Sequence, residues 1–335
     1  MKVNEPVLQP FPGINPGFRY KDLPKISSVY DLAALLNYDV AILRIITTNI
    51  RLYYDKYYIE KSNGKLREIS APHATLLEIQ QWILINILEK CQISSYAKAY
   101  KKGTRLTSNA KYHCNQPTVV TMDILDFFPS VKQDDVFSIF SQMGYCPEVC
   151  LMLSKLCCLN NALPQGAPTS PYLSNLRLFG FDFEVAQYIR KRSLHYTRYA
   201  DDITISGKMD PHHVIHDISG LLYKHGFTLN KEKTRIANRN ARQEVTGIIV
   251  NSYMQISRER RMKIRQHLYY IRKFGLDTHL KHIHVSDRET YLNQLMGLIN
   301  FSLMTNPNDP EMREYFRTVR RLLNIPPQRP KSLML

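Results

Sequence analysis

Long apolar runs are missing from this 335-residue sequence, and stretches such as Trp82-Ile83-Leu84-Ile85 are far too short to cross a bilayer. Met1 to Tyr20 carries Pro6, Pro10, Pro12 and Pro16 without an apolar core, so neither a signal peptide nor a transit helix is expected there. The six cysteines, Cys91, Cys114, Cys146, Cys150, Cys157 and Cys158, contain no C-x-x-C pair. That spacing argues against a zinc site and predicts reduced, mostly buried thiols. There is no repeat, low-complexity tract or linker long enough to separate independent domains. Together these absences predict a cytoplasmic protein with no membrane partner. Acidic residues are also scarce. The 29 Asp and Glu are outnumbered by 45 Lys and Arg, giving a net charge of +16 and pointing to a polyanionic partner, nucleic acid first. The basic residues are spread along the chain, Lys56 through Lys331 included, and do not gather on one amphipathic segment, which argues against an anionic membrane surface.

A composition of 44% hydrophobic and 22% charged residues is that of a globular chain with a real core and room for two or three subdomains. Residues 28–47 read as one or two short helices. Tyr53 to Ile59 and Leu66 to Ser70 read as a hairpin closed through Ser62-Asn63-Gly64-Lys65, since Asn-Gly suits a tight turn. Apolar spacing through Leu76, Ile79, Ile83 and Ile87 predicts a helix over Thr75 to Cys91. Val119 to Leu125 is an apolar strand interrupted by Asp123, a carboxylate that needs a partner if buried. Ser130 reads as the N-cap of a helix through Met143, stopped by Gly144, and a second helix is expected from Ser170-Pro171 toward Arg190. Leu194 to Ser206 reads as strand, tight turn, strand. The whole is a mixed α/β pattern followed, from about residue 258, by a basic helical segment.

Chemistry concentrates at Tyr199-Ala200-Asp201-Asp202. Adjacent aspartates raise each other's pKa unless a cation compensates them. A bare Asp-Asp pair is usually a polar turn, but flanking strands and a third acid, Asp123, on a separate strand make a site for hard divalent cations such as Mg²⁺. Two such ions suit an in-line displacement in which a 3′-hydroxyl attacks and pyrophosphate leaves. Leu163-Pro164-Gln165-Gly166-Ala167-Pro168 precedes a helix and offers backbone N–H groups and a glycine for close approach of a nucleotide or template. Lys61, Lys65 and Arg67 are either phosphate contacts or a solvated basic hairpin. Arg258, Arg260, Arg261, Lys263, Arg265, Arg272 and Lys273 form a basic helix face, with Tyr269 and Tyr270 available to pack or stack. His212, His213, His216, His279, His282 and His284 lack Cys or acidic ligands in a zinc spacing and read as exposed or phosphate-contacting.

Four segments, Asp123-Ile124-Leu125-Asp126-Phe127-Phe128, Leu163-Pro164-Gln165-Gly166, Tyr199-Ala200-Asp201-Asp202 and Leu229-Asn230-Lys231-Glu232-Lys233-Thr234, resemble the palm motifs of reverse transcriptases in order and spacing. Asn109-Ala110-Lys111-Tyr112-His113 and Val245-Thr246-Gly247 are similar to the N-A-x-x-H and V-T-G elements of bacterial retron reverse transcriptases. The resemblance covers roughly residues 50 to 255. It implies an α/β (α+β) right-hand polymerase with an N-terminal helical extension over 1–50, fingers over 51–122, a palm over 123–250 with finger elements inserted at about 131–168, and a helical thumb over 251–335.

It further implies two Mg²⁺ ions, or Mn²⁺, on Asp123, Asp201 and the Ile124 carbonyl, with Asp202 completing the site. Phe128 would lie under the incoming sugar and exclude a 2′-hydroxyl, while Phe127 belongs to the core and Asp126 is structural. Gln165 and Gly166 would sit near the incoming nucleotide, Tyr199 near the primer end, and Lys61, Lys65 and Arg67 around the triphosphate, with Arg67 the most suited to bidentate contact. Lys233, or Lys231, would be the general acid for pyrophosphate. Asn109, His113, Val245, Thr246, Gly247, Arg258, Arg261 and Arg265 would bind RNA. The implied activity is RNA-directed DNA synthesis on dNTPs, copying a cognate noncoding RNA that supplies template and priming 2′-hydroxyl into a branched RNA–DNA product. The implied partners are that RNA and its DNA product, an effector protein in antiphage defence, and a host RNase H that trims the RNA. Two other readings are another bacterial reverse transcriptase, of the abortive-infection type, and an inactive RNA-binding scaffold of a defence complex.

Overall fold

In the computed structural model, which describes residues 19–60, 64 and 66–324, the apolar run around Asp123 is an inner strand of a four-stranded sheet. The strands of the first part of the chain are β1 (Tyr54–Glu60), β2 (Leu66–Pro72), β3 (Thr118–Ile124), β4 (His195–Tyr199), β5 (Asp202–Gly207) and β6 (Leu229–Asn238). The central sheet has the order β4-β5-β3-β6, with β5 antiparallel to both β3 and β4. Val119, Val120, Met122 and Ile124 of β3 are all buried, and the helices Phe179–Arg190 and Pro211–Lys224 pack on the sheet.

β1 and β2 form a separate antiparallel hairpin in which Ile59 faces Arg67 and Glu60 faces Leu66. It is preceded by the helices Val29–Leu36 and Val40–Thr48, started by Ser28 and Asp39, whose side chains accept the Asp31 and Ala41 amides. The expected helix after the hairpin runs over Ala74–Asn86 and ends in a 3₁₀ turn, Leu88–Lys90.

Two expected helices are each divided. Ser130 does not cap a helix through Met143. It ends a short helix, Phe127–Ser130, because its hydroxyl donates back to the carbonyls of Leu125 and Asp126 at 3.2 and 2.9 Å. Val131 is extended, and the next helix, Gln133–Gln142, begins where Asp135 accepts the Lys132 amide at 2.9 Å. The helix opening at Ser170 stops at Arg177, and a second runs over Phe179–Arg190. The bend falls at Leu178, whose ψ of 3° departs from helix while its side chain is fully buried and anchors the break.

The chain separates into two compact units, one within Met1–Thr104 and Thr118–Ile236, the other within Arg105–Pro117 and Ala237–Leu335. The second holds the short helix Leu106–Ala110, the two-stranded β7 (Glu244–Val245) and β8 (Ile248–Ile249), and the helices Arg258–Phe274, Leu276–His282, Arg288–Thr305 and Pro310–Leu322. It has its own core, in which Ile264, Leu268, Leu295, Ile299, Met312 and Val319 interlock. Among the described residues no helix is long and apolar enough to cross a membrane. All six cysteines are free thiols, four of them buried.

Candidate active site

Pairing of β3 with β5 sets Asp123 directly opposite Asp202, and pairing of β4 with β5 sets Tyr199 opposite the same residue. Asp201 lies in the turn, where the Ile124 amide donates to its carbonyl at 3.1 Å and ties the two strand ends together. Like charges facing across an antiparallel pair repel, so this arrangement costs stability on its own. Ala200 adopts a left-handed backbone, φ 58°, a conformation worth about 1–2 kcal/mol of strain in an L-residue.

That turn is braced from beneath by residues the sequence reading did not single out. Arg198, with no exposed surface, donates to the Ala200 carbonyl at 3.0 Å and to Asn175 Oδ1 at 3.1 Å. Its other nitrogens grip both oxygens of Asp182 at 2.9 and 2.8 Å, and the Tyr196 hydroxyl donates to Asp182 at 2.6 Å. The available signal was an arginine inside a strand-like run, one position before the acidic turn.

Burial and the charge of Asp123 push the Asp201 carboxyl above the usual aspartate range. Asp202 still reaches solvent at the strand end. Even so, surrounding protein, then Asp201 and Asp123, push its carboxyl up to about 6. Lys233 on β6 meets this charge, its ammonium lying 2.8 and 3.0 Å from the two oxygens of Asp123, with Asn230 Nδ2 at 3.1 Å. Partial burial pulls the Lys233 pKa down, but the hydrogen bond and charge of Asp123, aided by Asp201 and Asp202, hold it above the ordinary lysine value. Lys231, two residues earlier on the strand, makes no such contact with the described residues.

A carboxyl whose folded pKa exceeds its unfolded value of 3.8 favours folding when protonated, so stability falls as pH rises from about 4 to about 6. Asp202→Asn is therefore expected to stabilise the chelator-treated protein at pH 7.5 by about 1 kcal/mol, less than the ~3 kcal/mol of a closed interior because the group reaches solvent. Urea unfolding at pH 7.5 and 4 checks this: the gain should vanish at the lower pH, and a variant less stable than wild type at pH 7.5 would refute it.

Around this cluster the structure gathers several other expected residues. Arg67 on β2 is exposed, and its positive charge acts to lower the Asp201 pKa. Phe127 is buried, whereas Phe128 is half-buried, with ring centres 5.2 Å from Phe127 and 6.4 Å from Tyr100. Tyr100 carried no sequence signal. Its hydroxyl pKa is raised by burial and then by the charge of Asp201, which places it beside the acidic turn. The Gln165 carbonyl accepts the Ser70 amide at 2.8 Å. Gly166 is required because a Cβ there would lie 2.4 Å from the Ser70 carbonyl oxygen, so β2 itself makes the close approach. Lys61 and Lys65 lie outside the described residues.

In the second unit the N-A-x-x-H and V-T-G elements meet. Asn109 Nδ2 donates to Thr246 Oγ1 at 3.4 Å. Asn109, His113 and Val245 are fully buried, Thr246 and Gly247 have left-handed backbones, and Arg260 donates to the Gly247 carbonyl at 3.3 Å. Of the basic helix, Arg258 is exposed, but Arg261 is bound to Asp309 and Glu311 at 2.6 and 2.9 Å and Arg265 to Glu311 at 2.6 Å. His279 is buried and lies 2.9 Å from the Tyr291 hydroxyl. Among the described residues no three His, Cys, Asp or Glu side chains converge into a ready-made metal cage, Asp123 being engaged by Lys233 and Asn230.

Residues 59–264 match the family described as reverse transcriptase (RNA-dependent DNA polymerase), and that span contains the acidic turn, β3 and Lys233. The chain belongs to the reverse transcriptases and is an RNA-directed DNA polymerase. Among curated proteins it is 32% identical to the retron Ec86 reverse transcriptase of Escherichia coli, over 79% of this chain and 85% of that one. It is also 32% identical to the retron Se72 reverse transcriptase of Salmonella heidelberg, over 79% and 73%. Its place in the family is with the retron enzymes. A solved structure of telomerase from Candida albicans, in complex with a fragment of telomeric RNA, is similar at a TM-score of 0.48 and 11% identity, covering 80% of this chain and 61% of that one. Reverse transcriptases act on RNA templates and are generally dependent on a divalent metal.

Proposed function

We propose that the chain copies a cognate structured noncoding RNA into a branched, multicopy single-stranded DNA by two-metal nucleotidyl transfer, in the cytoplasm and in the service of antiphage defence. The observation that carries the chemistry is the facing pair Asp123 and Asp202 with Asp201 in the adjoining turn. The donor set fits hard cations: carboxylates held against like charge, and at present relieved on Asp123 by an ammonium. Asp123, Asp201 and the Ile124 carbonyl would hold Mg²⁺ or Mn²⁺, with Asp202 completing the acidic site. Bound ions supply activation of the attacking hydroxyl and neutralisation of charge on the leaving pyrophosphate.

The chain's own groups do the rest. Lys233, held protonated by its contact with Asp123, would hand a proton from Nζ to the departing phosphate oxygen. Arg67, with Lys61 and Lys65, grips the triphosphate, and Gln165 and Gly166 line the nucleotide's approach. Phe128 offers a ring against which a 2′-hydroxyl would clash and lose its hydrogen bonds. Tyr199 adjoins the primer end.

The right-hand division of fingers at 51–122, palm at 123–250 with insertions at about 131–168, and thumb at 251–335 goes with this reading, residues 1–50 being an extension. The Asn109–Thr246 contact supports a specificity surface for the cognate RNA in the second unit, its buried members shaping what Thr246, Gly247 and Arg258 present. Arg261 and Arg265 would reach RNA phosphates by exchanging Glu311. The further partners are dNTPs, an effector protein and a host RNase H.

Sequencing the DNA made in cells tests the reading. One short product joined to RNA through a 2′,5′ bond is expected, whereas heterogeneous, untemplated DNA would point to the abortive-infection type instead.

A further inference from the structure

Beside the acidic turn a recess of about 610 Å³ opens, sharing Tyr199 and Tyr100 with the catalytic region and walled also by Tyr172, Lys98, Lys101 and Lys102. No step assigned above uses it. Three phenol rings and three ammonium groups are what single-stranded nucleic acid recognition combines, a face for a base and cations for its phosphates. A duplex presents a convex ridge of phosphates to a protein. A recess of this size, within the range of small-ligand pockets, accepts instead a base drawn out of the stack.

The walls are fixed. The segment carrying Lys98 and Tyr100 runs alongside β4, with the Lys98 amide donating to the Arg198 carbonyl at 2.7 Å and the Arg198 amide to Tyr96 at 2.9 Å. Tyr100 has a left-handed backbone, φ 59°, held by the Thr104 hydroxyl, which donates to the carbonyls of Lys98 and Lys101 at 2.9 and 2.7 Å. Asn175 Nδ2 donates to the neighbouring Ala99 carbonyl at 3.0 Å. A strained residue kept in place from several sides is a common mark of a functional surface. On the far wall the Tyr172 hydroxyl donates to the Cys91 carbonyl at 2.7 Å. Lys102 is paired with Glu89 at 2.7 Å and Lys98 with the Ser95 carbonyl at 2.6 Å, while the Lys101 ammonium has no acceptor among the described residues.

We infer that this recess binds one unpaired nucleotide of the primer–template next to the growing end, its base against the tyrosines and its phosphate at Lys101 and Lys98. The inference rests on the polymerase reading above and adds a subsite to it. The unpaired nucleotide can come from either strand; its chemistry is the same, and the experiment separates the sources.

The test uses the full chain and three RNA-templated primer duplexes with the same 5′ template overhang: one fully paired along the primer, one with a single 2-aminopurine bulge in the primer strand near its end, and one with that bulge in the template. Wild type should alter the 2-aminopurine fluorescence of a bulged duplex on binding. Lys101→Glu combined with Lys98→Ala should raise KM for that bulged duplex about ten-fold, the scale of one stacked base and its phosphate. For the fully paired duplex KM and kcat should stay within two-fold. A loss confined to the primer-strand or the template-strand bulge assigns the recess to that strand. Equal loss on paired and bulged duplexes, or none on either bulge, overturns the inference. Failure of wild type to extend even the paired duplex would instead strike the polymerase reading.

Discussion

Asp182→Ala is expected to destabilise the protein by about 3–5 kcal/mol, because it strands the Arg198 guanidinium as an unpaired charge in the core. Both side chains are wholly inaccessible, and Asp182 accepts three of the hydrogen bonds that satisfy the site, two from Arg198 and one from Tyr196. The alternatives open to Arg198 are poor: Asn175 Oδ1 and the Ala200 carbonyl already take its remaining nitrogen, and neither carries a charge. A thermal melt should fall by about 10 °C in a chain of this size. Replacing the pair together, as Asp182→Leu with Arg198→Met, should recover much of the loss, since an apolar pair leaves nothing buried and unpaired. It should not recover full activity, because the brace on the Ala200 carbonyl is gone with the guanidinium. A melt unchanged in Asp182→Ala would show that the pair does not hold the sheet's acidic end together.

Asp201→Asn is expected to lower the rate of DNA synthesis on the order of 10³-fold or more, equivalent to about 4 kcal/mol or more of activation free energy, while leaving RNA binding intact. The carboxamide keeps the shape of the turn, in which the main-chain carbonyl of residue 201 still accepts the Ile124 amide. What it removes is a charge that no neighbour duplicates from the same direction: Asp123 is occupied by Lys233, and Asp202 sits at the start of β5. Removing one negative charge should, if anything, tighten RNA binding at low salt.

Much of this site is legible in the sequence. Asp123 announced itself as an acid in an apolar strand, and the acidic turn lay between two strand-like runs, so their neighbouring positions followed once those strands were taken to pair. Lys233 and Lys231 could not be separated by type or spacing; only the fold of β6 shows Lys233 on Asp123. The braces were illegible for a related reason. Asp182 and Asn175 come from two helices that the periodicity merges into one, and the bend at Leu178 that separates them depends on tertiary burial. In the sequence Gly166 suggests room for a ligand, yet its close neighbour is the backbone of β2, which no local pattern could supply. At 258–265 the sequence shows only a basic helix face, because Asp309 and Glu311, which pair with Arg261 and Arg265, lie some fifty residues further along the chain.

The most direct test of the central claim, that Asp123, Asp201 and Asp202 form the catalytic centre of an RNA-copying enzyme, is primer extension on a defined RNA template with dNTPs and Mg²⁺. Wild type and Asp201→Asn should be compared at equal RNA occupancy. The account predicts template-length complementary DNA from wild type and none above background from the variant. Synthesis by Asp201→Asn at the wild-type rate would contradict it.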